Sequence, residues 1–135
     1  MRLIAYADGA ARGNPGPAAC GAVVLDHDGN ELRRIAQAIG RGTNNEAEYR
    51  AAIAAVRAAL ELGATELQLR LDSQLVVRQL QGSYRVRHER LKPLYRELDT
   101  LSDQFVRFSV DHVPREQNRR ADALANAALD GKEPD

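Results

Sequence analysis

A chain of 135 residues suffices for one domain with a real core. Its 19 basic and 19 acidic residues cancel, so contact with nucleic acid must rely on local patches rather than a global basic field. The single cysteine excludes an internal disulfide and suits a reducing cytoplasm, and without a secretion signal or a long apolar run neither export nor a membrane span is expected.

In chain order, "RLIAYAD" (2–8) predicts a buried strand ending at Asp8. The Gly- and Pro-dense "GNPGP" (13–17) predicts a loop. "CGAVVLD" (20–26) and "ELRRIAQAI" (31–39) predict strands joined by a hairpin at Asp28-Gly29, with Cys20 as a small buried thiol. "DHDGN" has the look of a calcium loop, but its Gly comes too early and Gln37 stands where the twelfth-position Glu belongs. Thr43 predicts an N-cap for an Ala-rich helix over 44–62, ended at Gly63. "TELQLRLD" (65–72) alternates Leu67, Leu69 and Leu71 with polar residues, as a strand does. Ser73 predicts the cap of a short helix over 74–81 that stops at Gly82. A helix with Pro93 near its start follows within 88–105, then a strand over 106–113, a connection "REQN" and a closing helix over 119–130. Residues 131–135 are expected to be a frayed tail behind a single domain of residues 1–130. Tight turns imply antiparallel pairing of the first three strands, and helical crossovers imply parallel pairing later. The predicted fold is α/β, a mixed five-stranded sheet flanked by helices.

Isolated acids fall at the ends of these elements. Asp8 and Asp72 end strands, while Glu48 and Asp122 lie in the first turns of helices. In open α/β sheets that is where sites form. Each acid also has a structural reading. Asp8 before Gly9 suits a turn, Asp72 before Ser73 suits a cap, and Asp122 suits a positive helix end. Four converging carboxylates would repel one another unless divalent cations were bound among them. Oxygen ligands without a Cys/His cluster point to Mg²⁺ or Mn²⁺ rather than Zn²⁺. Two such ions are a device for in-line phosphodiester chemistry.

Glu46 and Glu48 of "GTNNEAEYRAAIAAV" cannot share a helical face. Glu46 has Arg50 at i+4 and is expected to pair with it in water. Glu48 has no cation one turn on, and its face continues through Ala52, Ala55 and Ala59, small residues that let a helix approach a sheet closely. It is expected to point inward, toward a partner from elsewhere such as a metal.

Four blocks, "YADGAARGNPGPAACGAV", "GTNNEAEYRAAIAAV", "LRLDSQLVVRQL" and "VPREQNRRADALANAA", resemble type 1 ribonuclease H in order and cover nearly the whole chain. The resemblance implies a ribonuclease H-like fold and an Mg²⁺-dependent endoribonuclease, acting through two ions that Mn²⁺ can replace. Such an enzyme cuts the RNA strand of RNA–DNA hybrids without strong sequence preference, leaving 5′-phosphate and 3′-hydroxyl ends. It implies Asp8, Glu48, Asp72 and Asp122 as catalytic metal ligands, and Gly9, Ala10, Asn14, Asn44, Asn45 and Gln74 as hybrid-binding residues. A monomer is expected, and the resemblance also allows a domain of a larger fused protein.

Two departures stand out. Many family members carry a histidine in a loop about ten residues before the last acid. Counting back from Asp122 reaches His112, but Val113-Pro114 matches the strand-end anchor that should precede that histidine. His112 is therefore read first as a strand residue, and Arg115 and His112 stand as the two candidates for the auxiliary role of that histidine. Where some members insert a basic helix and loop, this chain has the short "GSYRVRHERLK", whose Arg85, Arg87, Arg90 and Lys92 suit either DNA phosphates or solvent. The rival functions are a non-catalytic hybrid-binding module and a DNA nuclease or recombinase domain of similar fold.

Overall fold

The computed structural model describes residues 1–132, so the rest of the predicted tail, 133–135, lies outside the described residues. The elements are β1 (Arg2–Ala11), β2 (Gly16–Leu25), β3 (Glu31–Gly42), α1 (Asn44–Glu61), β4 (Glu66–Leu71), α2 (Gln74–Leu80), α3 (Lys92–Ser102), β5 (Arg107–His112), a single 3₁₀ turn (Arg115–Gln117) and α4 (Arg119–Leu129). They form a five-stranded sheet in the order β3-β2-β1-β4-β5. β1, β2 and β3 pair antiparallel, while β4 lies parallel to both β1 and β5. The mixed sheet is the one expected from the hairpins and crossovers.

Local chemistry sets the boundaries. Thr43 caps α1, its hydroxyl accepting from the Glu46 N–H at 3.1 Å, and Gly63 follows the helix with a φ of 89° that suits glycine. Ser73 caps α2 through the Val76 N–H at 3.3 Å. At the hairpin, the Asp26 carboxylate accepts from the backbone N–H groups of Asp28 and Asn30, both at 2.9 Å, a local Asx turn rather than a cation loop.

Two strand limits differ from expectation. Asp8 does not end β1, which continues to Ala11. What stops near Asp8 is the pairing with β4, whose last partners are Ala7 and Leu71, while pairing with β2 runs on to Ala11 and Ala18. Likewise β2 begins at Gly16, inside the segment expected to be loop, because Gly16 and Pro17 pair with Gly42 and Arg41 of β3.

Side chains alternate across the sheet, and the helices divide accordingly. Leu3, Ala5 and Ala7 of β1 face α1 in the main core, joined by Leu67, Leu69 and Leu71 of β4 and by the buried alanines of α1. Cys20 belongs to this core; burial pushes its thiol up to about 12, so it is an inert packing group. The neighbouring residues of β1 and β2 face α4 on the opposite side. Two glycines bring the helices close. A Cβ on Gly9 would sit 2.1 Å from the carbonyl carbon of Ala47 in α1, and one on Gly21 would sit 2.0 Å from the Ala121 oxygen in α4. Real Cβ contacts are never that short, so both helices rest directly on glycine backbone. Asp8 pairs with Gly21 across the ladder, which places the close approach of α4 beside this acid.

Candidate active site

The site forms where the β1–β4 ladder ends. Residues two apart on a strand direct their backbone groups to the same neighbour. Beyond the Ala7–Leu71 pair the ladder stops, and side chains serve the Ala7 carbonyl and the Gly9 N–H. Gly9 N–H donates to Glu48 Oε1 at 3.0 Å, and Asn118 Nδ2 donates to the Ala7 carbonyl at 2.9 Å. The end of a parallel ladder thus draws in one group from α1 and one from the start of α4.

Asp8 is 6% exposed and Glu48 7%. One carboxylate oxygen from each of Asp8, Glu48 and Asp72 lies within 4.8 Å of the other two. Asp122 is not part of that trio. It lines the same cavity, of about 430 Å³, with its Oδ1 accepting from Asn126 Nδ2 at 3.2 Å. Burial, then Glu48, then Asp122 and Asp72, push the Asp8 carboxyl far above the usual carboxylate range. Burial raises Glu48 as well, opposed by hydrogen bonds with Asp8 and Gly9 and by the nearby Arg115 guanidinium. The second oxygen of Glu48 is buried with no hydrogen-bond partner. Crowded acids, two of them raised chiefly by burial, with an unpartnered oxygen among them, make a donor set that fits a hard divalent cation.

Gly9, Ala10, Asn44 and Asn45 line the cavity with the acids, and so does Arg115 at the start of the 3₁₀ turn. Asn14 stands one step away, its Oδ1 accepting from the Asn44 N–H at 3.1 Å. Gln74 opens α2, is exposed and does not line the cavity. His112 is the last residue of β5, paired with Leu71 and exposed, as a strand residue should be. Asn45 also borders an adjoining cavity of about 440 Å³ that includes Asn14, Thr43, Arg85, Arg87 and His88. The other two basic residues of that loop have acidic neighbours, Arg90 near Glu46 at 3.8 Å and Lys92 on Glu89 at 2.6 Å. The largest of these cavities, about 590 Å³, lies away from the acids, between the end of α2 and α3.

Glu46 departs from its expected pairing. Its carboxylate reaches back to the Thr43 N–H at 3.1 Å, completing a capping box, and its ionic neighbour is Arg90 rather than Arg50. The T-x-x-E signature was present in the sequence, and the Thr43 N–H outcompetes a solvated i+4 pair for the Glu46 carboxylate. Asn118 was read as mere connection. It is fully buried and donates to Asp72 Oδ2 at 3.0 Å as well as to Ala7. Its only sequence signal was a cap-type residue one helical turn before Asp122.

Comparison with known proteins agrees with this arrangement. Residues 6–128 match the family model described as reverse transcriptase-like. A ribonuclease HI of Halobacterium salinarum is 49% identical over 129 residues, covering 96% of this chain and 65% of that protein. A bifunctional protein of Mycobacterium tuberculosis is 49% identical over 131 residues, covering 96% of this chain and 36% of its own length. The chain therefore spans only part of these relatives. The solved Halobacterium salinarum RNase H1 superposes with a TM-score of 0.95 at 48% identity, covering 97% of this chain and 99% of that one. An RNase H1 from compost, solved with an RNA/DNA hybrid, superposes with a TM-score of 0.91 at 42% identity, covering 96% and 97%. With the acids gathered at the end of the β1–β4 ladder, a family match across nearly the whole chain and these relatives, the chain belongs to the type 1 ribonuclease H family.

Proposed function

We propose that this chain is an endoribonuclease that hydrolyses the RNA strand of RNA–DNA hybrids. The observation that carries the reading is the convergence of Asp8, Glu48 and Asp72 within 4.8 Å, with Asp122 in the same cavity. Family membership, and a relative solved on an RNA/DNA hybrid, support the choice of substrate. The four acids would hold two Mg²⁺ ions, or Mn²⁺ in their place, which supply Lewis acidity for in-line phosphodiester hydrolysis leaving 5′-phosphate and 3′-hydroxyl ends.

The protein's own part is placement. Gly9 N–H fixes one oxygen of Glu48 and leaves the other directed at no protein donor. Glu48 is assigned to sit near a 2′-hydroxyl, the group that tells RNA from DNA at one position. Gly9, Ala10, Asn14, Asn44, Asn45 and Gln74 are assigned to the hybrid's minor groove, a surface that carries little sequence information. Arg85 and Arg87, in the adjoining cavity, are assigned to backbone phosphates. Arg115, beside Glu48, is assigned the auxiliary role, with His112 at the end of β5 as the other candidate for it. Residues 1–130 are taken as one domain, a unit that also occurs within longer proteins. The chain is taken to act as a monomer. A cytoplasmic setting completes the reading; among the described residues, no helix is long and apolar enough to cross a membrane.

The test is cleavage of labelled RNA–DNA, RNA–RNA and DNA–DNA duplexes with Mg²⁺ and with chelator. The reading requires hybrid-selective, chelator-sensitive cuts in the RNA strand. Binding without cleavage would favour a non-catalytic module, and cleavage of DNA duplex would favour a DNA nuclease.

A further inference from the structure

Asn118 precedes α4 in the N-cap position, where Asn is among the most favoured residues because its side chain can accept from the first free N–H groups of the helix. Here it makes no such bond. Its side chain turns into the protein, is fully buried, and donates from one nitrogen to Ala7 O and Asp72 Oδ2. Both partners are pure acceptors, so the amide's orientation is dictated by chemistry: only nitrogen can face them. The other end of the amide, Oδ1, is buried without a hydrogen-bond partner. A residue that forgoes its usual bond and leaves one polar atom unsatisfied is held there by what its nitrogen does.

Ala7 is the last β1 residue paired with β4, and it immediately precedes Asp8; Asp72 immediately follows β4. The Asn118 nitrogen therefore bridges the two strands one step beyond their ladder, between the carriers of two acids of the cluster. We infer that Asn118 is a positioning residue for hydrolysis, fixing the Asp72 carboxylate against β1 at Ala7, and is not the cap of α4. This rests on reading the acid cluster as the hydrolytic site.

The discriminating substitution is Asn118→Asp. Aspartate caps helices as well as asparagine does, so a capping role predicts an unchanged thermal midpoint and a kcat within about twofold of the parent. The positioning role predicts the opposite, because a carboxylate would face two acceptors with no proton to give. Cleavage of an RNA–DNA hybrid should then lose about 10- to 100-fold in kcat with KM little changed, the scale seen when a group supporting a metal ligand is lost. The Mg²⁺ concentration that half-saturates the rise in thermal midpoint should increase by a similar factor. Asn118→Ala removes the donor without adding charge and should shift kcat and the Mg²⁺ midpoint in the same direction, which keeps the test open if the Asp variant does not fold. Either folded variant with parental kcat and parental Mg²⁺ response overturns the inference, and so does failure of both to fold, since Asn118 would then be structural. If the parent chain cleaves no hybrid, the functional reading fails, while the Mg²⁺ titration still decides the role of Asn118.

Discussion

The two helices that bring acids to the end of the β1–β4 ladder begin in opposite ways. α1 opens with a complete capping box, Thr43 and Glu46 serving each other's backbone N–H groups, so its start is satisfied by its own residues. α4 opens without any side-chain cap bond, because the nitrogen of its cap-position residue, Asn118, is engaged with β1 and Asp72. A cap contributes about 1 kcal/mol. At α1 that stabilisation is kept, and the acid one turn inside, Glu48, is fixed separately by Gly9. At α4 it is given up where the chain must tie two strands together. A favoured cap residue at a helix start is thus a statement about residue type, and its partners decide whether it caps.

The largest expected effects break both helices' purpose at once. Asp8→Asn and Asp72→Asn should each lower Mg²⁺-dependent hybrid cleavage by about three orders of magnitude, the rate equivalent of several kcal/mol of lost charge stabilisation, with circular dichroism unchanged. Next comes a direct contrast of the two starts. Thr43→Asp keeps a good cap and should leave stability and kcat near the parent, whereas Asn118→Asp should lose kcat; equal tolerance at both positions would erase the distinction.

The glycine contacts offer a third probe. Gly9→Ala and Gly21→Ala each force a methyl into helix backbone, and denaturant titration should show a loss of about 1–3 kcal/mol or more at each. The Gly9 variant should lose more activity per folded molecule, because it displaces the helix that carries Glu48.

Removing metal gives a smaller, pH-dependent effect. Asp8 and Glu48 have folded-state values raised above their ordinary 3.8 and 4.5. The unfolded chain therefore releases these protons first, and the folded state is penalised as pH rises. Chelated protein should be most stable below about pH 4 with respect to these groups and lose stability through neutrality. Mg²⁺ should restore it, and Asp8→Asn should flatten the profile in chelator. A chelated protein that gains stability from these groups between pH 4 and neutrality would contradict the account.

What the sequence made legible follows from where the determining contacts lie. The Leu67, Leu69, Leu71 alternation, the Ala face of α1 and the caps at Thr43 and Ser73 are local, and they placed β4, α1 and α2 within a residue or so. Glu48 was separable from Glu46 because its missing intrahelical partner shows within one turn. The Glu46–Arg50 pairing failed because a second local rule, the capping box, competed for the same carboxylate. The end of β1 was misplaced because Asp8 interrupts the apolar run, although β2 still offers a pairing partner there. Asn118 was illegible for a different reason. Its partners stand 46 and 111 residues away, and nothing in "REQN" separates a residue that caps from one that reaches into the sheet.

The central claim is that the acid cluster at the end of the β1–β4 ladder cuts RNA in hybrids, with Glu48 in it and Glu46 outside it. Side-by-side cleavage of a labelled RNA–DNA hybrid by Glu46→Gln and Glu48→Gln, with Mg²⁺ and with chelator, tests it most directly. The account predicts near-parental, chelator-sensitive cleavage for Glu46→Gln and near-complete loss for Glu48→Gln with its fold intact. An active Glu48→Gln beside an inactive Glu46→Gln would contradict it.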